Sequence, residues 1–351
     1  MPLTPMKQML DEAAKKGYGV GAFNVNNMEQ IQAIANAAKE TNSPVIIQAS
    51  RGALQYSDLI YLQKLIEAAT LKYPEIKIAM HLDHGNSLEA VKEAIALDFT
   101  SVMIDASLEA DGKTVASYEY NVNTTKEVVE YAHARGVTVE AELGCLGGIE
   151  DGHGAGIAAD DTSHLTDPAQ VVDFVSKTGC DALAVAIGTS HGAYKTMTYD
   201  ENGNPLPPAL ALELIEEIVK RLDEAGFKNY PLVMHGSSSV PQELVAIVNK
   251  YGGAMKKSMG IPMKDIQFGI ARGVRKVNVD TDGRIAMTGA IRKVFAESPD
   301  KFDPRAYLKP ARTALQELIA GKMRDFGQAG HNDDYEPLTL AQMKDVYAQN
   351  A

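Results

Sequence analysis

Three of the eight histidines in the chain, His84, His191 and His235, are each followed directly by glycine. Each pair stands at or just after the end of a short apolar run that is typical of a buried β-strand. Three neutral imidazoles that converge and leave one position open to a substrate are typical ligands of a catalytic zinc or similar divalent ion. The spacing therefore predicts a metal site. The alternative is that the three histidines lie in loops and each forms its own hydrogen bonds.

Acidic side chains accompany these histidines. Asp83 directly precedes His84, so its carboxylate can act as an acid or base beside the metal, or can instead orient the histidine. Glu140 and Glu142 share one face of a strand, and one of them is expected either to support a metal ligand or to contact the metal as an alternate ligand. Glu150 lies in a glycine-rich stretch that is typical of a mobile lid. A carboxylate brought in by closure suits proton abstraction beside a carbonyl, and a solvated loop charge is the alternative.

Two other stretches suit phosphate. Residues 236–239 (GSSS) supply backbone amides and hydroxyls just before Pro241, which is expected to open a helix with an anion-attracting N-terminus. Residues 278–284 (NVDTDGR) join turn-forming polar side chains to Arg284, which can bind phosphate bidentately. Lys195 adds a cation. With the metal, these groups form the local positive focus that a chain of net charge −12 needs to bind an anionic substrate.

The elements that must position these groups form a regular series. Eight short runs rich in β-branched residues alternate with amphipathic stretches long enough for helices. Eight such units favour a (β/α)8 TIM barrel over an open sheet, and no GxGxxG follows the first run. The predicted strands are residues 19–25, 45–49, 76–82, 101–105, 137–142, 182–187, 232–235 and 274–279. The predicted helices are residues 28–41, 59–73, 87–97, 123–135, 168–178, 208–225 and 241–251.

The chain of 351 residues is predicted to form one domain, residues 1–351. Residues 299–351 exceed what the barrel requires and are expected to be a C-terminal helical extension, packed on its outside or on a neighbouring subunit. After the segment 299–310, which a proline ends, a helix is predicted at 311–324.

Composition narrows the class of protein. A chain with 45% hydrophobic and 23% charged residues is typical of a globular enzyme, and the negative charge argues against nucleic acid as a partner. No window approaches the roughly 20 apolar residues that cross a bilayer, and the N-terminus lacks a secretory pattern. We therefore expect a cytoplasmic protein with no membrane partner.

The remaining histidines and the cysteines are expected to have structural roles. His81 lies further back in its strand than His84 and is expected to be buried and to orient neighbours by hydrogen bonds. His133 and His331 are expected to be solvated. Cys145 and Cys180 are too few for a disulfide framework and are expected to be reduced.

Six motifs, in order, resemble those of the class II, metal-dependent fructose-1,6-bisphosphate aldolases over nearly the whole chain. They are FNVN at 23–26, HLDHG at 81–85, EAELGCLGGIEDG at 140–152, IGTSHGAYK at 187–195, HGSSSVP at 235–241 and KVNVDTDGR at 276–284. The resemblance implies reversible cleavage of fructose 1,6-bisphosphate to dihydroxyacetone phosphate and glyceraldehyde 3-phosphate. It also implies a homodimer or homotetramer that acts on small sugar phosphates.

The resemblance implies roles for individual residues as well. The catalytic Zn²⁺ would be held by His84, His191 and His235, with Glu142 as an alternate ligand. A monovalent cation, Na⁺ or K⁺, is often part of such sites. Asp83 would act on the C4 oxygen, and Glu150 would move the proton of dihydroxyacetone phosphate. The residues implied in binding the substrate or its two phosphates are Ser50, Gly192, Lys195, Gly236, Ser238, Asn278, Asp280, Thr281 and Arg284.

Three other functions are alternatives to cleavage of fructose 1,6-bisphosphate. Tagatose-1,6-bisphosphate aldolase is a relative in which the stretch matching NVDTD tends to read NVATE, so Asp280 favours fructose bisphosphate as the substrate. A Schiff-base aldolase needs a lysine at a strand end inside the barrel mouth, whereas the sixth strand here leads to His191. A non-catalytic sugar-phosphate-binding barrel would keep the phosphate loops but has no need of three metal-ligating histidines.

Overall fold

Eight parallel strands form a closed barrel in sequence order. The computed structural model of the chain describes residues 3–146, 163–192, 198, 200–202 and 205–349. Each strand pairs with the next, and the eighth pairs with the first. The strands are β1 Val20–Asn24, β2 Val45–Ser50, β3 Ile78–Gly85, β4 Ser101–Ile104, β5 Thr138–Leu143, β6 Ala182–Val185, β7 Leu232–Met234 and β8 Val274–Val279. The (β/α)8 barrel predicted from the sequence is confirmed.

Helices lie between the strands and after the last one. In the described residues they are α1 Met6–Lys16, α2 Met28–Thr41, α3 Arg51–Ser57, α4 Leu59–Lys72, α5 Leu88–Ala96, α6 Tyr118–His133, α7 Pro168–Thr178, α8 Glu213–Glu224, α9 Gln242–Lys250, α10 Met263–Ile270, α11 Thr281–Glu297, α12 Pro304–Asp325 and α13 Leu340–Gln349. The predicted helices 28–41 and 168–178 agree with α2 and α7 at both ends. Both begin at a clear signal, because Asn27 and Asp167 each accept a hydrogen bond from a backbone N–H of the first turn.

Other predicted boundaries were displaced. Helix α6 begins at Tyr118 rather than 123, because Ser117 caps it by accepting a hydrogen bond from the N–H of Tyr120. Helix α8 begins at Glu213 rather than 208, because the preceding chain is tied to the sheet: the N–H of Ala211 donates to the carbonyl of Ile187 at 3.0 Å. Strand β3 begins two residues later than predicted and continues through Gly85. All eight predicted strands and all eight predicted helices have a counterpart in the structure, whereas α1, α3, α10, α11 and α13 were not predicted.

Helix α1 covers the amino end of the barrel. Helix α1 packs against β3, β5 and β8, and its Met6, Met9 and Leu10 are fully buried. They form one apolar cluster with inward-facing residues of the strands, among them Val20 and Met103. The larger apolar core lies between the sheet and the surrounding helices. The carboxyl end of the barrel is therefore where polar side chains can meet a ligand.

The C-terminal part of the chain packs on the outside of the barrel. Helix α12 lies against α2 and α11, and α13 lies against α6. The predicted start of α12 at 311 was wrong, because the helix begins at Pro304 and includes Pro310. Asp303 caps it by accepting from the N–H of Arg305 at 2.9 Å, and Pro304 at the first position lacks only an N–H that a helix start leaves unbonded.

The expectation that His133 and His331 are solvated was also wrong. His133 Nε2 lies 2.9 Å from a carboxylate oxygen of Asp181, and its ring stacks on Tyr347 of α13 at 3.6 Å between centroids. His331 stacks on Tyr18 at 4.2 Å. Both rings fasten the C-terminal part of the chain to the barrel.

The expected burial of His81 is confirmed. His81 is fully buried, and its Nδ1 lies 2.9 Å from the hydroxyl of Ser101. Cys145 and Cys180 are buried free thiols. Burial raises the pKa of Cys145 to about 12 and that of Cys180 to about 11.

None of the helices in the described ranges is both long and apolar enough to span a membrane.

Candidate active site at the carboxyl end of the barrel

The three histidines predicted as metal ligands lie together, although His84 and His235 are 151 residues apart in sequence. The ring of His84 is 4.7 Å from that of His191 and 4.7 Å from that of His235, centroid to centroid. One nitrogen from each ring lies within 4.8 Å of the other two. These nitrogens are close enough to ligate a single ion, so the donor set fits zinc.

An irregularity in β3 directs two consecutive side chains to the site. In a regular strand Asp83 and His84 would point to opposite faces of the sheet. Here His84 has a φ of 52°, and the pairing of β3 with β4 shifts between Leu82 and Gly85. Gly85 is required at this shift, because a Cβ there would lie 2.5 Å from the carbonyl oxygen of Met103. The irregularity thus lets both side chains reach the barrel mouth.

His235 is oriented by a buried carboxylate. Its Nε2 lies 2.7 Å from Oε1 of Glu140, and its Nδ1 lies 3.0 Å from Nε2 of His84. Complete burial holds the pKa of His235 below its ordinary value, so the ring is neutral. With the proton on Nε2 donated to Glu140, the lone pair on Nδ1 is presented to the metal position.

Glu140 is itself held by Lys276 inside the barrel. Lys276 Nζ lies 2.9 Å from Oε2 of Glu140 and donates to Oδ1 of Asn278 at 2.7 Å, and both charged side chains are fully buried. Burial alone would raise the pKa of Glu140, but the charge of Lys276 and the hydrogen bond from His235 hold it far below its ordinary value. Glu140 is therefore an ionised support for His235 rather than a metal contact. This geometry assigns a role to Glu140, whereas the sequence left open which role each of the two glutamates has.

Asp83 is a buried carboxylate held by three amides. Its Oδ2 accepts from Asn24 at 2.8 Å and from Gln48 at 3.0 Å, and its Oδ1 lies 3.4 Å from the amide of Asn278. Burial opposes ionisation of Asp83, but His84 and nearby positive charge keep its pKa below the ordinary value. The side chain is thus a fixed, ionised carboxylate at the barrel mouth.

Glu142 and Asp105 form a second acidic side of the same centre. They group with His84 as possible metal ligands, and His84 Nδ1 lies 3.4 Å from Oδ2 of Asp105. Oε2 of Glu142 is buried and has no hydrogen-bond partner among the described residues. Burial and the charge of Asp105 raise the pKa of Glu142 well above its ordinary value. A buried carboxylate oxygen in this position fits a site for a cation, which would replace the missing partner.

A cleft beside the histidines contains six of the nine residues predicted to bind substrate. Those six are Gly192, Gly236, Ser238, Asn278, Asp280 and Thr281. The hydroxyl of Ser238 accepts from the N–H of Asp280 at 3.3 Å and so joins the ends of β7 and β8. Gly236 has a φ of 60°, and a Cβ there would lie 2.5 Å from the carbonyl oxygen of Ser190. Ser50 lines an adjoining pocket with His84, His191 and Glu142.

The stretch 278–284 is not the turn that its composition suggested. Asn278 belongs to β8, and Thr281 is the first residue of α11. The N-terminus of α11 therefore opens into the cleft, where the helix dipole favours phosphate. Pro241 precedes α9 as predicted.

Asp282 fixes the loop after β7. Its carboxylate accepts from the N–H groups of Ser239 and Val240 at 2.9 and 2.7 Å. Val240 has a φ of 48°, which is strained for a β-branched residue, so these bonds hold a conformation that it would not adopt alone. Lys322 of α12 balances the charge, with Nζ 2.6 Å from Asp282.

Arg284 is half-exposed and pairs with Asp280, with Nη2 2.5 Å and Nε 2.9 Å from the two carboxylate oxygens. Glu150 and Lys195 lie outside the described residues.

Sequence reasoning missed four polar side chains that build the site. They are Asn24, Gln48, Asp105 and Lys276. Three of them lie within strands, and Asp105 directly follows β4. A polar residue in a strand that is otherwise buried was the available signal, since such groups need partners in the interior.

Comparison with known proteins agrees with this geometry. A family model described as "Fructose-bisphosphate aldolase class-II" matches residues 4–331. The chain belongs to this family. A fructose-bisphosphate aldolase of Giardia intestinalis is 53% identical over 99% of this chain and all of its own length. One from Nostoc sp. is 52% identical, over 99% of this chain and 96% of the relative.

Solved structures of aldolases share the fold of this chain. The crystal structure of the YdjI aldolase from Escherichia coli K12 superposes with a TM-score of 0.71 at 28% identity, covering 94% of this chain and all of that one. A putative fructose-1,6-bisphosphate aldolase from Coccidioides immitis gives a TM-score of 0.69 at 28% identity, covering 93% of this chain and 98% of that one.

Proposed function

We propose that this chain catalyses the reversible aldol cleavage of fructose 1,6-bisphosphate to dihydroxyacetone phosphate and glyceraldehyde 3-phosphate. The observation that carries the proposal is the meeting of three histidine nitrogens with an ionised, amide-held Asp83 beside a cleft suited to phosphate. Relatives whose sequences are identical to this chain at about half of the positions, over nearly its whole length, are named fructose-bisphosphate aldolase. Their agreement favours fructose bisphosphate over its tagatose epimer.

The residues fit a divalent cofactor, for which we propose Zn²⁺. It would be held by His84, His191 and His235, with Glu142 as an alternate contact. When bound, it supplies positive charge that stabilises the negative charge developing on the ketone oxygen, an effect worth several kcal/mol.

In this proposal Asp83 handles the proton on the C4 oxygen. In cleavage, its carboxylate takes the proton of the C4 hydroxyl as the C3–C4 bond breaks; in condensation, it returns it. The lowered pKa keeps Asp83 in the ionised form that can accept this proton, and the amides of Asn24, Gln48 and Asn278 hold the carboxylate in place. Glu150 remains our candidate for the proton on the carbon that becomes nucleophilic.

The two phosphates would be bound on different sides of the centre. Backbone N–H groups at Gly236 and Thr281, with the hydroxyl of Ser238, suit the phosphate of the dihydroxyacetone half. Arg284 and Lys195 would contribute cations, Arg284 for the far phosphate. A monovalent Na⁺ or K⁺, a single-domain chain, a homodimer or homotetramer and a cytoplasmic location stay predictions from the sequence.

The test is an assay of purified protein for metal and for cleavage. We expect about one zinc per chain and cleavage of fructose bisphosphate that a chelator abolishes and zinc restores. His84→Ala, His191→Ala and His235→Ala should each lose both metal and activity and stay folded, because the apolar core lies elsewhere. Faster turnover of the tagatose epimer would assign the rival substrate, and activity without any metal would refute the proposed chemistry.

A further inference from the structure

A second cleft lies near the opposite end of the barrel. Helix α8, the segment after it and the loop that leads into β8 enclose about 550 Å³. This volume lies within the range of about 300–1,000 Å³ that small-molecule sites occupy. Val219, Phe227 and Tyr230 supply apolar surface, and Arg275 at the start of β8 lines the cleft as well.

Arg275 has only half of its guanidinium bonded. Arg275 is 9% exposed, and its Nη1 donates to the carbonyls of Ile270 and Val274 at 2.6 and 3.0 Å. The bond to Ile270 caps the end of α10. Its Nε is buried without a partner, and Nη2 makes no hydrogen bond with the residues that the structure describes. Burial lowers the pKa of Arg275, and no carboxylate in the described ranges pairs with it to offset this.

The unused edge of Arg275 is the one that binds a carboxylate. Nε and Nη2 point the same way, so a carboxylate can accept from both at once. The same chain shows this geometry at its surface: Nε and Nη2 of Arg305 donate to Asp303 at 3.0 and 2.6 Å. At Arg275 the equivalent acceptor is not supplied by the described residues.

The charges around the cleft leave one positive charge in excess. Four basic and three acidic side chains line it. Arg272 pairs with Glu216. The others are Lys220, Lys228, Asp223, Glu224 and Arg275. An occupant with a single negative charge therefore balances the cleft, and the carboxylates of Asp223 and Glu224 disfavour a doubly charged phosphate.

We propose that this cleft binds a small organic monocarboxylate. Its carboxylate would lie on the Nε–Nη2 edge of Arg275, and its apolar body would pack against Phe227 and Tyr230, whose rings meet edge to face at 6.1 Å. The site shares no described residue with the barrel mouth, so it is independent of the aldolase reaction.

A tryptophan placed in the cleft tests the proposal. The chain contains no tryptophan, so Phe227→Trp adds a fluorophore that reports on this cleft and not on the barrel mouth. We expect benzoate to change its emission with saturation, and the neutral isostere benzamide to have no such effect. Adding Arg275→Gln to the Phe227→Trp variant should weaken benzoate binding about tenfold or more, because a charge-assisted bidentate pair is lost.

Two controls separate binding from folding. Arg275→Lys keeps the charge without the fork and should bind benzoate more weakly than the parent, while cleavage activity in both Arg275 variants stays within about twofold. If the Arg275 variants unfold, Val219→Phe fills the cleft instead, and broadening of the benzoate proton signals by the parent protein should be absent with that variant. Equal titration with benzoate and benzamide, or no loss on removal of Arg275, would overturn the proposal.

Discussion

The buried pair of Lys276 and Glu140 gives a sharp test of what holds the site together. Both side chains are fully buried, and Nζ lies 2.9 Å from Oε2. Unit charges about 3 Å apart interact by roughly 6 kcal/mol at an effective dielectric constant of about 20. Much of this offsets the free energy of removing both ions from water, so the pair is expected to contribute little net stability while either partner alone is costly.

Removing one partner should therefore be more harmful than removing both. Lys276→Met leaves the Glu140 carboxylate uncompensated, and Glu140→Gln leaves the Lys276 ammonium uncompensated, each at a cost of about 3–5 kcal/mol in the free energy of unfolding. Unfolding entropy of about 2.1 cal/mol/K per residue then predicts a fall in Tm of roughly 4–7 °C for a chain of 351 residues. The double variant should fall no further than either single variant, a coupling of about 3 kcal/mol or more.

The assay is thermal unfolding of the metal-free proteins, because a bound ion would itself raise Tm. Lys177→Met is a matched control, since it breaks an ion pair of similar length with Asp173, 2.7 Å, whose side chains are half-exposed. It should change stability by about 0.5 kcal/mol or less. The reasoning fails if Lys276→Met costs no more than Lys177→Met, or if the double variant equals the sum of the two single variants.

Other expected outcomes follow from the same geometry. Asp83→Asn should abolish cleavage of fructose bisphosphate yet retain slow proton exchange on dihydroxyacetone phosphate, measured by deuterium incorporation; equal loss of both would refute the division of roles. Arg284→Ala should raise KM for the bisphosphate about tenfold or more with little effect on binding of dihydroxyacetone phosphate, and equal losses would place Arg284 elsewhere. Lys322→Met should raise KM more than it lowers kcat, because it releases the loop after β7; an unchanged KM would contradict this. Cys145 and Cys180 should resist iodoacetamide at pH 8 in the folded enzyme, because burial holds both thiol pKa values near 11–12, and rapid alkylation would show that they are accessible.

The sequence alone determined the barrel and the convergence of three histidines at its carboxyl end. Local patterning is sufficient for this, because β-branched runs and amphipathic stretches specify strands and helices, and parallel strands in a closed barrel bring their carboxyl ends together. His84, His191 and His235 follow such runs, so their convergence could be predicted without knowing any distance.

The tertiary structure decided which polar residues support that site, since their partners are distant in sequence. Nothing local indicated that Lys276 neutralises Glu140, or that Asn24 and Gln48 hold Asp83, because each contact depends on which strands are neighbours and on their register. The irregular backbone at His84 was equally invisible, since a strained φ persists only where surrounding packing fixes it. Sequence pattern therefore assigned residues to the carboxyl end of the barrel, whereas close packing in its interior determined their charge and orientation.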